Sequence, residues 1–305
     1  MKLTLIIFGI MSLGLTAVSA DAQSIIFNSD IGARNIALSS ADVSEFHDIS
    51  SLYQNPAAMV FLKAPSVFIN HVQGNYDEMQ ENIASTIIYD RSQMLALGAE
   101  FYNLGELNRS QTYQGYRFYE MGYQLAYARL LESTFSVGGT VSFHRGIVIQ
   151  SNAADAASYS LGVEYAPTGE VSYALALNGL GTGLDYETKN GVVSTVQAIL
   201  PRKLDIGATM RFPAETSLET PFLYIALASE KVFGITGINY KVGIEFLPFE
   251  FIALRFGYAS GSSLNRPTWG LGFHAAPFSF DFAVYPVRVN GSGIDFEQMS
   301  ASLEF

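Results

Sequence analysis

The chain of 305 residues contains no cysteine and few charged residues. Without cysteine it can form no disulfide, no thiolate metal site and no cysteine nucleophile. The absence says little about the compartment, because disulfides are optional in exported proteins. Charged residues make up 15% of the chain, against about 25% in an average soluble protein. The length allows either two soluble domains or one large barrel.

Long apolar runs are also absent. After residue 22 no stretch reaches about 18 consecutive apolar residues, the length that indicates a transmembrane helix. Helical membrane spans are therefore excluded, yet hydrophobic residues make up 49% of the chain and aromatic residues 13%. A chain this apolar must distribute its hydrophobic residues by alternation.

Basic residues are scarce, since 17 Lys and Arg stand against 28 Asp and Glu. A nucleic-acid-binding protein has a basic patch, so we expect no nucleic-acid partner. The histidines His47, His71, His144 and His274 show no metal-ligand spacing, and we expect no metal and no cofactor. Ser142 would share a strand face with His144 as a nucleophile and base, but no orienting acid follows from the sequence, so we expect no enzyme.

The first 22 residues have the pattern of a secretory signal peptide. Lys2 precedes an apolar run from Leu3 to about Val18, and small residues follow, so we expect cleavage after Ala20 or Ala22. A membrane-spanning helix is the alternative, but the run is short and no positive stop follows it. The expected organisation is a signal peptide over 1–22, an amino-terminal segment over 23–64 and a barrel over 65–305.

From Pro65 onward the chain consists of short runs in which every second residue is apolar. In FSFDFAVYP (278–286), the phenylalanines share one face while Ser279, Asp281 and Tyr285 share the other. This period of two predicts strands with one apolar and one polar face. The predicted strands are 65–72, 83–90, 93–103, 120–130, 133–145, 157–166, 170–179, 201–212, 221–231, 239–247, 250–260, 268–275, 278–286 and 298–305.

The number and spacing of these runs favour a membrane barrel. About fourteen strands of roughly nine to twelve residues suit a bacterial outer-membrane barrel. The connections alternate between long and short, although FPAETSLET (212–220) departs from that rule, and the chain ends in an aromatic residue, Phe305. A soluble β-sandwich also has alternating strands, but it does not explain these features together. We therefore predict an all-β fold, a transmembrane antiparallel β-barrel with both termini at the periplasmic side of an outer membrane.

Residues 23–64 lack the period of two and are predicted to form a plug inside the barrel. Two helix starts are expected, one at Ser39 or Ser40 and one at Asn55-Pro56, where Asn55 would be the N-cap. At the membrane face such a segment would have nothing to pack against, so we place it in the lumen. Glycines within the strands would allow its backbone to approach the wall or would allow sharp curvature of the strands. They are Gly138, Gly139, Gly207, Gly243, Gly257 and Gly272.

Charged residues on the polar strand faces are the candidate contacts of this plug or of a ligand. A buried charge without a partner is costly, so these groups must pair with one another, with the plug or with water. They are Glu100, Glu164, Asp205, Arg211, Glu245, Arg255, Asp281 and Glu304.

The segment GARNIALSSADVSEFHDISSLYQNPAAM resembles the amino-terminal hatch of the FadL-like outer-membrane superfamily, although Ser39-Ser40 stands where paired glycines are common. ILPRKLDIGATMRF (199–212) and GIEFLPFEFIALRFGYASG (243–261) are similar to the PorV/PorQ branch. The resemblance implies a fourteen-stranded barrel with an inserted plug. The matching hatch residues are Gly32, Ala33, Arg34, Ala37, Asp48, Leu52, Tyr53, Asn55, Pro56 and Ala57.

Three functions are considered, and the first hypothesis is the one that the resemblance to the PorV/PorQ branch implies. A PorV/PorQ-type protein would take part in type IX secretion, where it would receive secreted proteins by their carboxy-terminal sorting domains or help to attach them at the cell surface. A FadL-like channel would take up long-chain fatty acids or other hydrophobic small molecules. A structural barrel would have no cargo. In each case outer-membrane lipids and the barrel-insertion machinery are expected partners, and Phe305 is expected to be part of the assembly signal.

Overall fold

A computed structural model describes residues 30–45, 49–74, 78–106, 117–148, 153–186, 196–198, 200–214, 221–261, 265–289 and 292–305. In this part of the chain fourteen antiparallel strands close into one ring, in which the first strand pairs with both the second and the last. Closure leaves no sheet edge unpaired. The predicted antiparallel barrel of about fourteen strands is confirmed, and the sandwich is excluded.

The strands of the ring pair in the order of the sequence, except that a separate two-stranded sheet comes between the seventh and eighth strands of the ring. The strands of the ring are β1 (Ser66–Gln73), β2 (Met79–Asp90), β3 (Gln93–Glu106), β4 (Arg117–Glu132), β5 (Phe135–Val148), β6 (Ala154–Tyr165), β7 (Val171–Gly181), β10 (Lys203–Phe212), β11 (Leu223–Val232), β12 (Asn239–Phe249), β13 (Ile252–Gly261), β14 (Asn265–Ala275), β15 (Phe278–Val289) and β16 (Ser292–Glu304). Between β7 and β10 lies a separate two-stranded sheet, β8 (Leu184–Tyr186) and β9 (Val196–Ala198).

The two faces of the wall differ as the alternation predicts, with apolar side chains outside and polar side chains inside. Phe256 is 63% exposed on β13, whereas its neighbour Arg255 is fully buried. A soluble protein has the opposite arrangement, because its charged residues face water. The polar inner face and the apolar outer belt are those of a barrel that spans a hydrocarbon layer.

The connections at the two ends of the ring follow the predicted long and short alternation only in part. Short turns such as Arg91-Ser92 and Ala276-Pro277 join strands at one end, which we call the short-turn end. At this end ten residues separate β10 from β11, however, whereas at the opposite end three separate β13 from β14 and two separate β15 from β16. The long connection after β10 is the departure that the sequence showed at 212–220. The two short connections at the opposite end were predicted to be long, because β14, β15 and β16 extend further than their apolar residues do.

Two helices and one 3-10 helix precede the barrel: α1 (Ala33–Ala37), α2 (Ser51–Gln54) and the 3-10 helix Pro56–Phe61. The helix start at Asn55-Pro56 is confirmed, since the Asn55 side chain accepts a hydrogen bond from the Ala57 N–H at 3.2 Å. The expected start at Ser39 or Ser40 was wrong. Both serines have left-handed backbone angles, φ 55° and 56°, and follow the end of α1.

No helix of the described residues is both long and apolar enough to cross a bilayer. The expected signal peptide, residues 23–29, His47 and Asp48 lie outside the described residues. Phe305 follows the last strand, is 67% exposed and donates its backbone N–H to the Pro65 carbonyl at 3.0 Å.

Candidate functional site

Residues 30–45 and 49–62, which we call the inner segment, lie against the inward faces of the strands. The Ser39 hydroxyl is 2.9 Å from the Thr268 hydroxyl on β14, and the Ser44 hydroxyl is 2.9 Å from that of Thr209 on β10. On the other side of the ring, the Ser136 hydroxyl on β5 donates to the Ala57 carbonyl at 2.7 Å. Contacts with strands this far apart around the ring place the inner segment within it.

Charged groups connect the inner segment to one side of the wall. Arg34 of α1 donates to both carboxylate oxygens of Glu245 on β12, at 2.9 and 3.3 Å. Glu245 also accepts a hydrogen bond of 2.5 Å from Arg255 on β13, and Arg255 bonds Asp281 on β15 at 2.6 Å. These groups are almost fully buried, so each charge depends on its partners for compensation.

A second ion pair extends this ion-paired side to β10. Arg211 lies 3.1 Å from Glu45 of the inner segment and also donates to the Ser172 hydroxyl at 3.1 Å. Within the segment, Arg34 lies 3.3 Å from Asp42. Burial raises the pKa of the Asp42 carboxyl to about 6, although Arg34 opposes the shift. The pKa of Arg34 is raised chiefly by Glu245, against the effect of burial, so this guanidinium stays charged.

Neutral hydrogen bonds and close packing hold the inner segment on the opposite, close-packed side. The Asn55 amide donates to Glu164 on β6 at 2.9 Å and to the Val43 carbonyl at 3.1 Å. The Thr140 hydroxyl on β5 donates to the Leu52 carbonyl at 3.4 Å. Leu52 and Met59 belong to an apolar cluster that includes small wall residues, Ala84, Ala96, Ala126 and Ala128.

Strand glycines let the backbone of the inner segment approach the wall. A Cβ on Gly138 would lie 2.6 Å from the Ala57 nitrogen, and one on Gly257 would lie 2.5 Å from the Ser39 nitrogen. Real Cβ atoms do not come so close to backbone atoms, so larger residues would displace the segment. Gly139, by contrast, faces wall atoms at 3.4 Å or more. Gly162 and Gly270 also lie against the inner segment, but the sequence analysis did not predict this.

The inner surface carries aromatic residues toward the end opposite the short turns. Tyr102 on β3 and Phe118 on β4 meet edge to face with ring centroids 6.4 Å apart. Tyr285 and Phe296 stack with centroids 5.7 Å apart on β15 and β16. Phe118 also packs on an apolar cluster to which the β7–β10 connection contributes, made of Ala154, Ala156, Leu184 and Leu200. We call the four rings the aromatic arc.

A cavity of about 430 Å³ lies at the short-turn end beside the ion-paired side. Arg34, His274 and Asp281 line it from within, and Glu250 and Glu304 line it near the rim. The ion pairs that hold α1 therefore border open space.

Seven of the eight predicted inward charges are buried, and five of them take part in the contacts described above. Arg211, Glu245, Arg255 and Asp281 join the ion-paired side, and Glu164 bonds Asn55. Asp205 is buried on β10 opposite Glu230, which pairs with Lys241 at 2.9 Å. Glu304 is exposed at the end of β16.

His144, which the sequence placed on the same strand face as Ser142, has its Nε2 atom 3.1 Å from the Ser158 hydroxyl on β6. His274 lies 3.2 Å from Arg255 and 3.5 Å from Asp281. Gly32 has φ 99° and precedes α1, and Pro56 begins the 3-10 helix. In the described ranges no three His, Asp or Glu side chains are grouped so that they could hold a metal ion.

No protein-family model and no curated protein matches the chain. Solved structures share its fold. The Pseudomonas putida toluene transporter TodX has a TM-score of 0.63 at 12% identity, covering 94% of this chain and 98% of its own. The monoaromatic hydrocarbon channel CymD has a TM-score of 0.65 at 11% identity, covering 93% and 99%. A Pseudomonas aeruginosa FadL homologue has a TM-score of 0.62 at 12% identity, covering 91% and 99%.

At such identities the likeness shows the fold alone, and it confirms the FadL-like fold that the hatch motif predicts. It does not distinguish the PorV/PorQ branch.

Proposed function

We propose that this chain is an outer-membrane barrel that admits small hydrophobic compounds, with the inner segment as its hatch. The observation that carries the proposal is the aromatic arc at the mouth of a barrel whose wall points many polar side chains inward and whose lumen is crossed by the inner segment. Aromatic rings in a polar lumen provide contact surface for an apolar solute. The shared fold with a toluene transporter and a monoaromatic hydrocarbon channel supports the same function.

The apolar outer belt supports an outer-membrane location, with membrane lipids as its surroundings. The short-turn end would face the periplasm, as short turns do in outer-membrane barrels. Pro65 and Phe305 lie together at that end, so both ends of the barrel would be periplasmic.

The alternative of a part in type IX secretion rests on the sequence resemblance to the PorV/PorQ branch. No contact or cavity of the described residues favours the binding of a carboxy-terminal sorting domain, whereas the aromatic arc favours a small apolar solute. We therefore place hydrocarbon uptake first.

The experiment is to produce the full chain in the outer membrane of a Gram-negative host and to follow the entry of radiolabelled toluene. We expect faster entry than in cells with an empty vector, and a clear loss for Phe118→Ala. Tyr119→Ala is the matched control, because Tyr119 neighbours Phe118 but lies on the other face of β4. Entry at the vector rate, with the barrel folded in the membrane, would reject the proposal.

A further inference from the structure

The inner face of β3 and β4 carries carboxylates directly beside the aromatic arc. Tyr102 pairs with Glu120 across the two strands, and Glu100 lies two residues before Tyr102 on the same face. The Tyr102 hydroxyl donates to Glu78 at 2.5 Å. Glu78, Glu100 and Glu120 therefore surround one ring of the arc, and we call them the acidic patch.

The buried carboxylates on the ion-paired side have guanidinium partners, whereas Glu100 has no cationic partner among the described residues. Glu100 and Gln124 are each 7% exposed. The Gln124 amide nitrogen donates to one Glu100 oxygen, but Glu100 Oε2 and Gln124 Oε1 have no hydrogen-bond partner among the described residues. Glu100 Oε2 is thus a buried acceptor without a donor beside the arc, which costs free energy, whereas Gln124 Oε1 lies near Gly98 and Tyr53.

The chemistry that would satisfy this region is a positively charged group with N–H donors. A protonated amine supplies both the charge and the donors, and its apolar body would contact Tyr102 and Phe118. Aromatic faces attract cations as well, so the rings and the carboxylates favour the same ligand. A carboxylate-bearing ligand would meet like charge here. The cations Arg34, Arg211 and Lys241 each already pair with a carboxylate.

From this arrangement we infer that the acidic patch and Gln124 form a binding site for the ammonium group of a hydrophobic amine. The inference deepens the proposed uptake of hydrophobic compounds, on which it rests, and names the class of solute preferred. Hydrophobic cations bind more tightly than neutral hydrocarbons, and hydrophobic anions bind least.

The test uses three probes of similar size, toluene, benzylamine and benzoate, at neutral pH. Equilibrium dialysis against the purified full-length barrel in detergent measures their dissociation constants. We expect benzylammonium to bind about tenfold more tightly than benzoate, the factor of one hydrogen bond to a charged group. Glu100→Gln should remove this preference and leave toluene binding unchanged. Glu81→Gln, a carboxylate that pairs with His71 and is 47% exposed, is the matched control and should keep the preference.

The outcomes distinguish a failure of this inference from a failure of the proposed function. If toluene binds but benzylammonium binds no more tightly than benzoate, the amine site is wrong and hydrocarbon binding stands. If none of the three probes binds, the proposed function fails. If Glu100→Gln does not fold, the same binding measurements are made with Glu120→Gln, because this variant removes the neighbouring charge of the acidic patch. A preference that survives in every folded patch variant would also overturn the assignment.

Discussion

The two sides of the inner segment meet the wall by different physical means. On the ion-paired side, Arg34 and Glu45 contact charges on β10 and β12, and buried guanidinium groups connect those to β13 and β15. On the close-packed side, Asn55 and Ala57 contact β5 and β6 through neutral donors, glycines and small apolar residues. Buried ion pairs tolerate little loss of a partner, whereas close packing tolerates little added volume. The two sides should therefore fail under opposite kinds of substitution.

The largest effect is expected for Arg34→Met on the ion-paired side. It leaves Glu245 and Asp42 without this guanidinium, and breaking a buried pair costs about 3–5 kcal/mol. Hydrogen exchange measured by mass spectrometry should show lost protection in α1 while the strands stay protected. The exposed pair of Arg145 and Asp155 supplies the control. Arg145→Met should change nothing measurable, and equal protection of α1 in both variants would contradict the ion-paired anchor.

On the close-packed side, Asn55→Ala removes both the cap of the 3-10 helix and the donor to Glu164. A lost cap costs about 1 kcal/mol, and a lost neutral hydrogen bond costs roughly 0.5–1.5 kcal/mol. We expect faster exchange over residues 56–61 and unchanged exchange in the barrel, which is closed without the segment. A variant that fails to insert would show instead that this helix is needed to build the wall.

The next largest effect is expected from a substitution that adds side-chain volume on the close-packed side. Gly138→Ala places a Cβ 2.6 Å from the Ala57 backbone and should destabilise this contact by roughly 1–3 kcal/mol. Gly139→Ala, one residue away, meets only ordinary contact distances. Protease sensitivity near residues 56–61 should rise for the first variant alone. Equal sensitivity in both would mean that the segment does not press on Gly138.

The smallest effect is a pH dependence confined to the ion-paired side. Burial raises the pKa of Asp42 to about 6 from its ordinary value of 3.8. Asp42 therefore binds its proton more tightly when the inner segment is in place than when it is detached. The resulting stabilisation of the inner segment is greatest below the ordinary pKa of Asp42 and is lost as pH rises through about 6. Glu45 and Glu245 near Asp42 reinforce the shift. Exchange in α1, corrected for its intrinsic rate, should be faster at pH 7.5 than at pH 5, and Asp42→Asn should abolish the difference.

The sequence predicted the strands well at one end and less well at the other. At the short-turn end the predicted starts of β3, β15 and the end of β2 agree with the structure. At the opposite end β2, β4, β6, β14 and β16 begin earlier than predicted. The alternation of hydrophobicity reports the apolar belt, and a strand that continues beyond the belt loses that signal. The β8–β9 hairpin was also missed, because its sequence mixes apolar and polar residues without a regular alternation.

The period of two predicted that the candidate charges point inward, but it did not predict which groups they pair with. Arg34 and Glu245 are separated by 211 positions, and only the curvature of the closed ring brings them together. Tyr102 and Phe118 were missed, although two aromatic residues on a polar strand face were a visible signal. The roles of Gly162 and Gly270 depend on where the inner segment runs, which no strand pattern reveals.

The hydrogen bond from Phe305 to Pro65 has a consequence for the order of assembly. The ring closes between β1 and β16, and β1 is the strand that follows the inner segment in the chain. Before closure, this segment is tethered to the open edge and can settle on the growing wall from the side. After closure, the segment could enter only through an open end of the ring. Formation of the final strand pair is therefore the step that surrounds the segment with wall on every side.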